Sequence, residues 1–305
     1  MSLLVTGSIA IDSVRTPHGE MSEGPGGSAV YFSFAASIFV PTRLVGVVGE
    51  DYPRAYIDAF AGRPVDLAGL EVRAGSKTFR WKGSYEGSMN EATTLAVDLN
   101  VLAEAGPKIP LPFRDSQYVF LANTHPALQQ ELLGQLTAPK LVVADSMNLW
   151  IRNEPAALKA LLGRIDGFVL NDGEARQLTG QDNLVKAGRM VLDMGPRFVV
   201  VKKGEHGSLV FTRDAMLTLP GFPTEKVVDP TGAGDSYAGG MMGVLARDGI
   251  ASRDALDPQR LKAAVVTGTV VASLNIEGFA LTRLSAITSK DVEQRLAAFR
   301  PMVNF

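Results

Sequence analysis

Short apolar runs alternate along the chain with longer segments in which apolar residues recur every three or four positions. The runs rich in Val, Leu, Ile and Phe predict strands at Leu3–Thr6, Leu44–Val48, Tyr118–Leu121, Leu141–Ala144, Gly167–Leu170, Phe198–Val201 and Leu209–Phe211. The helical spacing, often after an Asp, Ser or Pro start signal, predicts helices at Ala127–Leu136, Pro155–Leu162, Gly173–Leu178, Leu184–Met194, Asp235–Ala246, Gln259–Leu274 and Lys290–Phe299. Because several strands are continuously apolar, as strands covered on both faces are, we expect an α/β fold with a mostly parallel sheet between helices.

One stretch departs from this rhythm. Between about residues 71 and 99, polar and aromatic residues alternate around glycine-containing turns, which is typical of antiparallel hairpins. We interpret it as a small β insertion, either a surface hairpin that extends the main sheet or a lid over a substrate cleft. The rest of the 305 residues shows no internal repeat, so a single α/β domain over residues 1–305 is predicted.

Composition and charge remove several classes of protein. The formal charge is −2 and the pI about 6.0, without the basic excess of a protein that binds a phosphate backbone, so no nucleic-acid partner is expected. The chain has no Cys, and its three His are too scattered for a zinc site. The N-terminus lacks a basic leader, and the longest nearly apolar stretch, residues 28–40, is shorter than the ~18 residues of a membrane span. We therefore expect a cytoplasmic protein without a membrane partner.

The segment Asp-Pro-Thr-Gly-Ala-Gly-Asp-Ser at 229–236 carries the most chemical information. A strand is predicted to end just before Pro230, and a helix follows the segment. Because Gly232 and Gly234 carry no side chain, a ligand can approach the backbone N–H groups at that helix N-terminus closely. Such an arrangement binds phosphate. Asp235 is interpreted either as the helix N-cap or as the base that accepts a proton from an attacking hydroxyl.

A second glycine cluster, residues 24–29, formally matches the dinucleotide pattern G-x-G-x-x-A. No buried strand precedes it, and Pro25 sits inside the turn, so the match is weak. We prefer a helix start whose backbone N–H groups bind ligand hydroxyls or an anion, and we keep an NAD-dependent oxidoreductase as an alternative. Asp12 follows the first predicted strand, at the carboxyl edge where open α/β sheets bind ligands.

Two further segments follow predicted strands. Asn171 and Glu174 lie three apart on a first helical turn, which suits a hydrated Mg²⁺ and also a capping box, and both interpretations can hold together. Residues 202–208 form either a simple hairpin turn or the border of a nucleotide. His125 and His206 are interpreted as structural and solvated residues, respectively.

Residues 229–236 closely resemble the C-terminal signature of the PfkB/ribokinase family of carbohydrate and nucleoside kinases. Further motifs occur in the same order as in that family, over nearly the whole chain: Gly7 to Asp12, Gly26-Gly27, Gly46 to Asp51, Asn171 to Glu174, and Gly204 to Gly207. The resemblance implies a doubly wound, mostly parallel sheet flanked by helices, with a small β-sheet lid formed by about residues 12–24 and 71–99. It also implies transfer of the γ-phosphoryl group of ATP to an alcohol, with Mg²⁺ and, near the loop before the signature, a monovalent cation such as K⁺.

The resemblance also implies a role for individual residues. Asp235 would be the catalytic base, beside an anion hole formed by the backbone of Gly232, Ala233 and Gly234. The substrate would be bound by Asp12, Gly26, Gly27 and Tyr31. The nucleotide would be bordered by Asn171, Lys203, Gly204, Gly207 and Thr231, and Glu174 with Asn171 would organise Mg²⁺ through water.

One departure from the family bears on the substrate. Many sugar-kinase members carry a Lys and then an Asn after the double glycine, whereas this chain reads Ser28-Ala29-Val30-Tyr31 and places an aromatic residue at the Asn position. This argues against ribose or fructose. Tyr31, with aromatic residues of the lid (Phe79, Trp81 and Tyr85), would stack on a nucleobase or pack at a lid-to-lid homodimer contact.

Three functions follow from these observations. The breadth of the family predicts a sugar kinase, and a nucleoside kinase acting on an adenosine-like acceptor is the alternative within the family. A non-catalytic ligand-binding protein on the same fold is an alternative of another class. The intact Asp235 argues against it, because a binding module gains nothing from a base aimed at phosphate.

Overall fold

The computed structural model describes residues 2–250 and 256–303 and contains two sheets. In chain order the strands are β1 (Leu3–Thr6), β2 (Ala10–Thr16), β3 (Gly19–Gly26), β4 (Thr42–Gly49), β5 (Val65–Arg73), β6 (Phe79–Tyr85), β7 (Ala92–Asp98), β8 (Tyr118–Leu121), β9 (Leu141–Asp145), β10 (Gly167–Asn171), β11 (Phe198–Lys202), β12 (Ser208–Thr212) and β13 (Met216–Leu219). The larger sheet has nine strands in the order β13-β12-β11-β10-β9-β8-β1-β4-β5. From β11 to β5 all neighbours are parallel, and β12 and β13 add an antiparallel edge.

Helices cover both faces of this sheet. In chain order they are α1 (Ser28–Ala36), α2 (Arg54–Asp58), α3 (Pro126–Gly134), α4 (Asn148–Asn153), α5 (Pro155–Leu162), α6 (Asp172–Thr179), α7 (Leu184–Asp193), α8 (Ala233–Asp248), α9 (Pro258–Asn275) and α10 (Ser289–Val303). One apolar core unites α1, α8 and α9 with one face of the sheet, and a second unites α3, α5 and α7 with the other. The predicted doubly wound α/β fold is therefore confirmed. Among the described residues, no helix combines the length and apolar character needed to cross a bilayer.

Helices α2 and α4 were not predicted, and three strand assignments differ from the sequence pattern. β5 is an edge strand with only partial burial, so it lacks a continuous apolar run, and it takes in residues 71–73 at the start of the predicted insertion. β13 was not predicted. The strand predicted before Pro230 is wrong: that segment belongs to neither sheet, and the backbone N–H groups of Val228 and Asp229 donate to the carbonyl of Ile276 at 2.7 and 3.2 Å.

The smaller sheet has four strands in the order β3-β2-β6-β7. Two antiparallel hairpins, β2–β3 and β6–β7, are joined by parallel pairing of β2 with β6, which places Trp81 in register with Asp12. Asp51, just after β4, fixes the start of β6 by accepting hydrogen bonds from the backbone N–H and hydroxyl of Thr78 at 2.7 and 2.8 Å. The smaller sheet is thus held at the carboxyl end of β4.

The carboxyl ends of the parallel strands meet at one edge of the larger sheet, where open α/β sheets bind ligands. Gly7 follows β1 there, and Asp145, Asn171 and Lys202 are the last residues of β9, β10 and β11. The smaller sheet reaches this same edge through Tyr85, whose hydroxyl lies 3.5 Å from that of Thr231. A cleft between the two sheets is therefore where the site should be sought.

Candidate active site

The glycine-rich loop before α8 is held from both sides. The backbone N–H of Thr231 donates to Oδ1 of Asp229 at 2.9 Å, and its carbonyl accepts from Nδ2 of Asn275 at 2.9 Å. Gly232 is the helix N-cap and adopts the left-handed conformation, with φ of 72°. The ring of Tyr31 packs against Gly232 so closely that a Cβ there would overlap it. Glycine is therefore required, and the N–H groups of the first helical turn lie at a preformed anion-binding terminus.

Asp235 is the third residue of α8, so its interpretation as the N-cap is wrong, because Gly232 occupies that position. Its carboxylate lies in the recess formed by the loop and the sheet edge. Burial raises the pKa of Asp235 above its usual range, and the positive charge of Lys202 opposes this rise. The group is positioned to be a stronger base than an exposed aspartate once it is ionised.

Two charged residues beside Asp235 were missed by the sequence analysis. Asp145 ends β9, is 5% exposed, and has an Oδ1 atom without a hydrogen-bond partner among the described residues. Burial, together with the charges of Asp235 and Glu174, raises the pKa of Asp145 far above its usual range, while Lys202 lowers it. The Nζ atom of Lys202 lies 2.6 Å from where a Cβ on Gly234 would stand. Both residues end parallel strands, and that position is the signal that could have identified them.

Asp12 lies on β2, across the cleft from the loop, and is 4% exposed. Its Oδ2 accepts a hydrogen bond from the backbone N–H of Gly27 at 3.3 Å and abuts the Cα of Gly26, where a side chain would collide with the carboxylate. Its Oδ1 has no partner in the described part of the chain. Burial raises the pKa of Asp12 to about 7, with smaller contributions from the charges of Asp235 and Asp229.

Tyr31 and Tyr85 bring hydroxyls to the same cleft. Tyr31 is 1% exposed, its ring face is occupied by Gly232, and its Oη has no hydrogen-bond partner within the described residues. The interpretation of Tyr31 as a stacking platform is therefore wrong, because no free ring face remains for a base. Trp81 and Tyr85 are half-buried and share one face of β6. One face of the Trp81 indole packs against Gly83 and its Nε1 donates to the hydroxyl of Thr94 at 3.2 Å, so the opposite ring face is the one left for a ligand.

Asn171 and Glu174 form the capping box at the start of α6. Oδ1 of Asn171 accepts from the N–H of Glu174, and Oε2 of Glu174 accepts from the N–H of Asn171, both at 2.7 Å. The capping interpretation is confirmed. Burial raises the pKa of Glu174, and the positive charge of Lys202 lowers it.

The loop after β11 is a tight turn that meets the smaller sheet. The N–H of Lys203 donates to the carbonyl of Gly207 at 2.7 Å, and Gly204 and Gly207 have φ of 54° and 79°. Nδ2 of Asn90, between β6 and β7, donates to Oε1 of Glu205 at 3.0 Å, and Gly204 abuts the same asparagine. The smaller sheet therefore extends from the Asp12 side of the cleft to this loop.

Two other interpretations are settled by the fold. Gly27 is the N-cap of α1 and follows β3, an antiparallel strand of the smaller sheet. Residues 24–29 are therefore not the turn of a βαβ unit, and the dinucleotide interpretation is wrong.

His125 is the N-cap of α3, where its Nδ1 accepts from the N–H of Ala127 at 3.1 Å, and its Nε2 lies 3.4 Å from Glu154. Its structural interpretation is confirmed.

Oxygen donors for a metal lie beside the loop, but residues 2–250 and 256–303 contain no ready-made group of three or more acidic or histidine ligands. Mg²⁺ usually keeps several waters and is held by one or two carboxylates together with substrate phosphates. The unpartnered Oδ1 of Asp145 and the carboxylate of Glu174 meet that requirement. The donor set fits a Mg²⁺ ion that arrives with phosphate.

Comparison with known proteins agrees with this geometry. The profile of the pfkB family carbohydrate kinases matches residues 2–286. A cytidine kinase from Thermococcus kodakarensis is 28% identical, over 81% of this chain and 89% of its own. A fructokinase from Klebsiella pneumoniae is 23% identical, over 81% of this chain and 85% of its own. The structure of a nucleoside kinase from Methanocaldococcus jannaschii, an archaeal member of the ribokinase family, superimposes with a TM-score of 0.77 and 19% identity, covering 97% of this chain and 98% of that one.

Proposed function

The chain belongs to the pfkB family of carbohydrate kinases and is an ATP-dependent kinase with a sugar or nucleoside acceptor; from that premise we propose that its acceptor is a nucleoside. The observation that carries this proposal is the aromatic face of β6, where half-buried Trp81 is in register with Asp12 and the hydroxyl of Tyr85 lies 3.5 Å from that of Thr231. A nucleobase offers the indole ring a planar π-face and gains about 1–3 kcal/mol from such stacking, whereas a free sugar offers only its C–H groups. The similarity to a cytidine kinase over 81% of this chain supports the same acceptor class.

A free sugar is the second candidate. Asp12 presents an unpartnered oxygen to the cleft, which suits any acceptor that carries neighbouring hydroxyls. The similarity to a fructokinase favours such an acceptor, as does the breadth of the family. The two candidates differ in what the β6 aromatics do, and the experiment below separates them.

In the proposed reaction Asp12, with the backbone of Gly26 and Gly27 beside it, holds the acceptor's sugar hydroxyls, and the Tyr31 hydroxyl donates to one of them. Asp235 accepts the proton of the attacking hydroxyl. The oxygen of that hydroxyl forms a bond to the γ-phosphorus, the bond from that phosphorus to the bridging oxygen breaks, and ADP leaves with the electron pair.

The anion hole supplies the stabilising charge for this transfer. The backbone of Gly232, Ala233 and Gly234 would line the phosphoryl group at the N-terminus of α8. Because the N–H of Ala233 donates to the carbonyl of Pro230 at 3.0 Å, the N–H groups of Gly232 and Gly234 would be the donors to its oxygens. Because the phosphoryl passes through a state with charge spread over its outer oxygens, fixed donors at this point lower the barrier.

ATP would lie along the carboxyl ends of β10 and β11. We place its borders at Asn171, Thr231 and the turn from Lys203 through Gly204 to Gly207. Mg²⁺ would be held by ATP phosphates, water, Glu174, Asn171 and the unpartnered Oδ1 of Asp145, and it would neutralise phosphate charge when bound. A K⁺ ion near the loop before the signature stays a prediction. Since the donor is ATP, we place the enzyme in the cytoplasm, where ATP is supplied.

The acceptor is tested by kcat/KM for a matched set: cytidine, adenosine and inosine against ribose, fructose and 2-deoxyribose, each with ATP and Mg²⁺. We expect a nucleoside to exceed every free sugar by at least tenfold, and Trp81→Ala to reduce the nucleoside value while leaving the sugar values little changed. This follows because stacking of ~1–3 kcal/mol per base corresponds to about 5- to 150-fold. A free sugar as the best acceptor, insensitive to Trp81→Ala, would refute the nucleoside proposal and leave the kinase assignment intact.

The smaller sheet also suggests a homodimer. Its edge strand β7 is exposed along its whole length, with apolar Leu95 and Val97 at 53% and 39% exposure. An unpaired edge with apolar side chains pairs readily with another strand, and the same edge on a second copy of this chain is self-complementary.

Light scattering at micromolar concentration tests this proposal. We expect a dimer for the wild type and a monomer for Leu95→Arg, because the charge would be buried in the contact. Met302→Arg, which changes a similarly exposed apolar residue on α10, is the control and should remain dimeric. A wild-type monomer, or a dimer unaffected by Leu95→Arg, would contradict the lid-to-lid contact.

A further inference from the structure

The amine of Lys202 occupies a specific place in the cleft. Lys202 is the last residue of β11, in register with Asn171 on β10, and its Nζ lies against the Cα of Gly234 in the anion loop. A Cβ on Gly234 would approach that Nζ to 2.6 Å. The amine is therefore beside the backbone that we assign to the transferred phosphoryl group, rather than at the outer edge of the nucleotide.

The surroundings of this amine are acidic. Asp145, Glu174 and Asp235 all interact electrostatically with Lys202, so three carboxylates face one amine. A phosphoryl group that enters this recess meets like charge, and like charges in a partly buried site repel strongly. A cation fixed at the loop compensates part of that repulsion where the charge of the transition state develops.

The position that carries a lysine in many sugar-kinase members offers no such cation here. Ser28 stands there, is 7% exposed, and donates its backbone N–H to Oγ of Ser8 at 3.1 Å, with the two hydroxyls 3.0 Å apart. Its side chain is committed to the start of α1. Ser28 therefore supplies no positive charge to the cleft.

We propose that Lys202 is a catalytic residue that binds the outer oxygens of the γ-phosphoryl group during its transfer. Nothing in the signature motifs assigns it, and the neighbouring Lys203 was the lysine singled out by sequence. Lys202 donates hydrogen bonds to the phosphoryl oxygens, first in ATP and then in the phosphorylated product, and exchanges no atom with them, while Asp235 takes the acceptor's proton. This inference rests on the proposed phosphoryl transfer.

The test compares Lys202→Met, Lys202→Arg and the control Lys159→Met, which removes an exposed lysine from α5. Kinetics are measured with the best acceptor of the wild type. We expect Lys202→Met to lose about 10- to 100-fold in kcat, the worth of one hydrogen bond to a charged group, and Lys202→Arg to recover part of the loss. Lys159→Met should match the wild type.

A binding measurement separates a catalytic role from a structural one. Calorimetry gives the affinity of each protein for ADP alone and for ADP with aluminium fluoride, a mimic of the transferring phosphoryl group, with the acceptor and Mg²⁺ present. We expect Lys202→Met to weaken binding of the mimic by the same factor as kcat and to leave ADP binding nearly unchanged, because only transition-state contacts affect the two differently. Melting temperatures show whether the Met variant is folded, and Lys202→Arg repeats the comparison if it is not.

The outcomes are distinct. Unchanged kcat in Lys202→Met, or equal losses for ADP and for the mimic, would overturn the role of Lys202 and leave the kinase in place. A wild type that transfers no phosphoryl group to any acceptor would overturn the proposed function itself.

Discussion

Replacing Asp235 with asparagine is expected to lower kcat by about 10²- to 10⁴-fold, with much smaller changes in KM for ATP and for the acceptor. Asparagine keeps the shape of the side chain at the third position of α8 but cannot accept the proton of the attacking hydroxyl. Because proton removal accelerates only the transition state, the loss should appear in kcat rather than in binding. Steady-state kinetics with both substrates measures it.

The pH dependence of kcat is a second test of Asp235 as the base. Burial raises the pKa of Asp235, and the charge of Lys202 opposes that rise. Because the base works only when ionised, kcat should fall as the pH drops through this raised pKa. The acidic limb of the pH profile of kcat should therefore lie above the pH range where an exposed aspartate titrates. Asp248→Asn, an exposed acid at the other end of α8, is the control and should keep both kcat and the limb. A value of kcat for Asp235→Asn within tenfold of the wild type would exclude Asp235 as the base.

Replacing Asp12 with asparagine should affect activity and stability in opposite directions. A carboxylate that accepts from two acceptor hydroxyls contributes about 3–4 kcal/mol, so kcat/KM should fall by roughly 10²- to 10³-fold. In the wild type the affinity for the acceptor should rise with pH through about 7, because burial raises the pKa of Asp12 to about 7 and the ionised form is the stronger hydrogen-bond acceptor.

The stability effect follows from proton linkage. In the unfolded chain the Asp12 carboxyl ionises near 3.8, whereas in the folded protein it holds its proton up to about 7. Between these values the folded state binds more protons than the unfolded state, so the free energy of unfolding decreases as the pH rises, by an amount on the order of a few kcal/mol in total. Asp12→Asn has no carboxyl to ionise at this position, so it removes this decrease in the free energy of unfolding. We expect its melting temperature to match the wild type near pH 4 and to exceed it near pH 8.

Thermal unfolding of both proteins across that pH range is the measurement. Asp12→Asn that is less stable than the wild type at pH 8, or that keeps full kcat/KM, would show that Asp12 is a structural residue. The expected combination of greater stability and lost activity is typical of a site residue held in an unfavourable environment for function.

Much of the fold could be predicted because the burial of each central strand is visible in its own run of apolar residues. The strands of the larger sheet that are covered on both faces, such as β1 and β9, are uninterrupted apolar runs. β5 and β13 lie at sheet edges, are partly exposed, and therefore carry no such run. The extended segment before Pro230 is apolar as a strand would be, but its hydrogen bonds go to the end of α9, a contact that no local pattern encodes.

The candidate site likewise contains residues that a local motif identifies and residues that only the fold brings together. Gly232 and Asp235 belong to one short motif at a helix N-terminus, where spacing alone indicates phosphate chemistry. Asp145 and Lys202 lie 57 residues apart on β9 and β11, and they become neighbours only when β10 pairs between them. The residue roles themselves stay predictions.

Tyr31 shows the limit of an argument from residue type. An aromatic ring in a substrate motif suggests stacking on a base. The fold instead places that ring against Gly232 and leaves only the hydroxyl toward the cleft. Which part of a side chain is available depends on what packs against it, and that information comes from the three-dimensional structure.

The central claim is phosphoryl transfer from ATP to a nucleoside with Asp235 as the base, and mass spectrometry of an acceptor pool tests it most directly. The pool contains nucleosides and free sugars, incubated with ATP, Mg²⁺ and either the wild type or Asp235→Asn. We predict that a nucleoside gains one phosphoryl group with the wild type and that this product is nearly lost with the variant. A pool in which no compound is phosphorylated, or a product that forms equally well with Asp235→Asn, would contradict it.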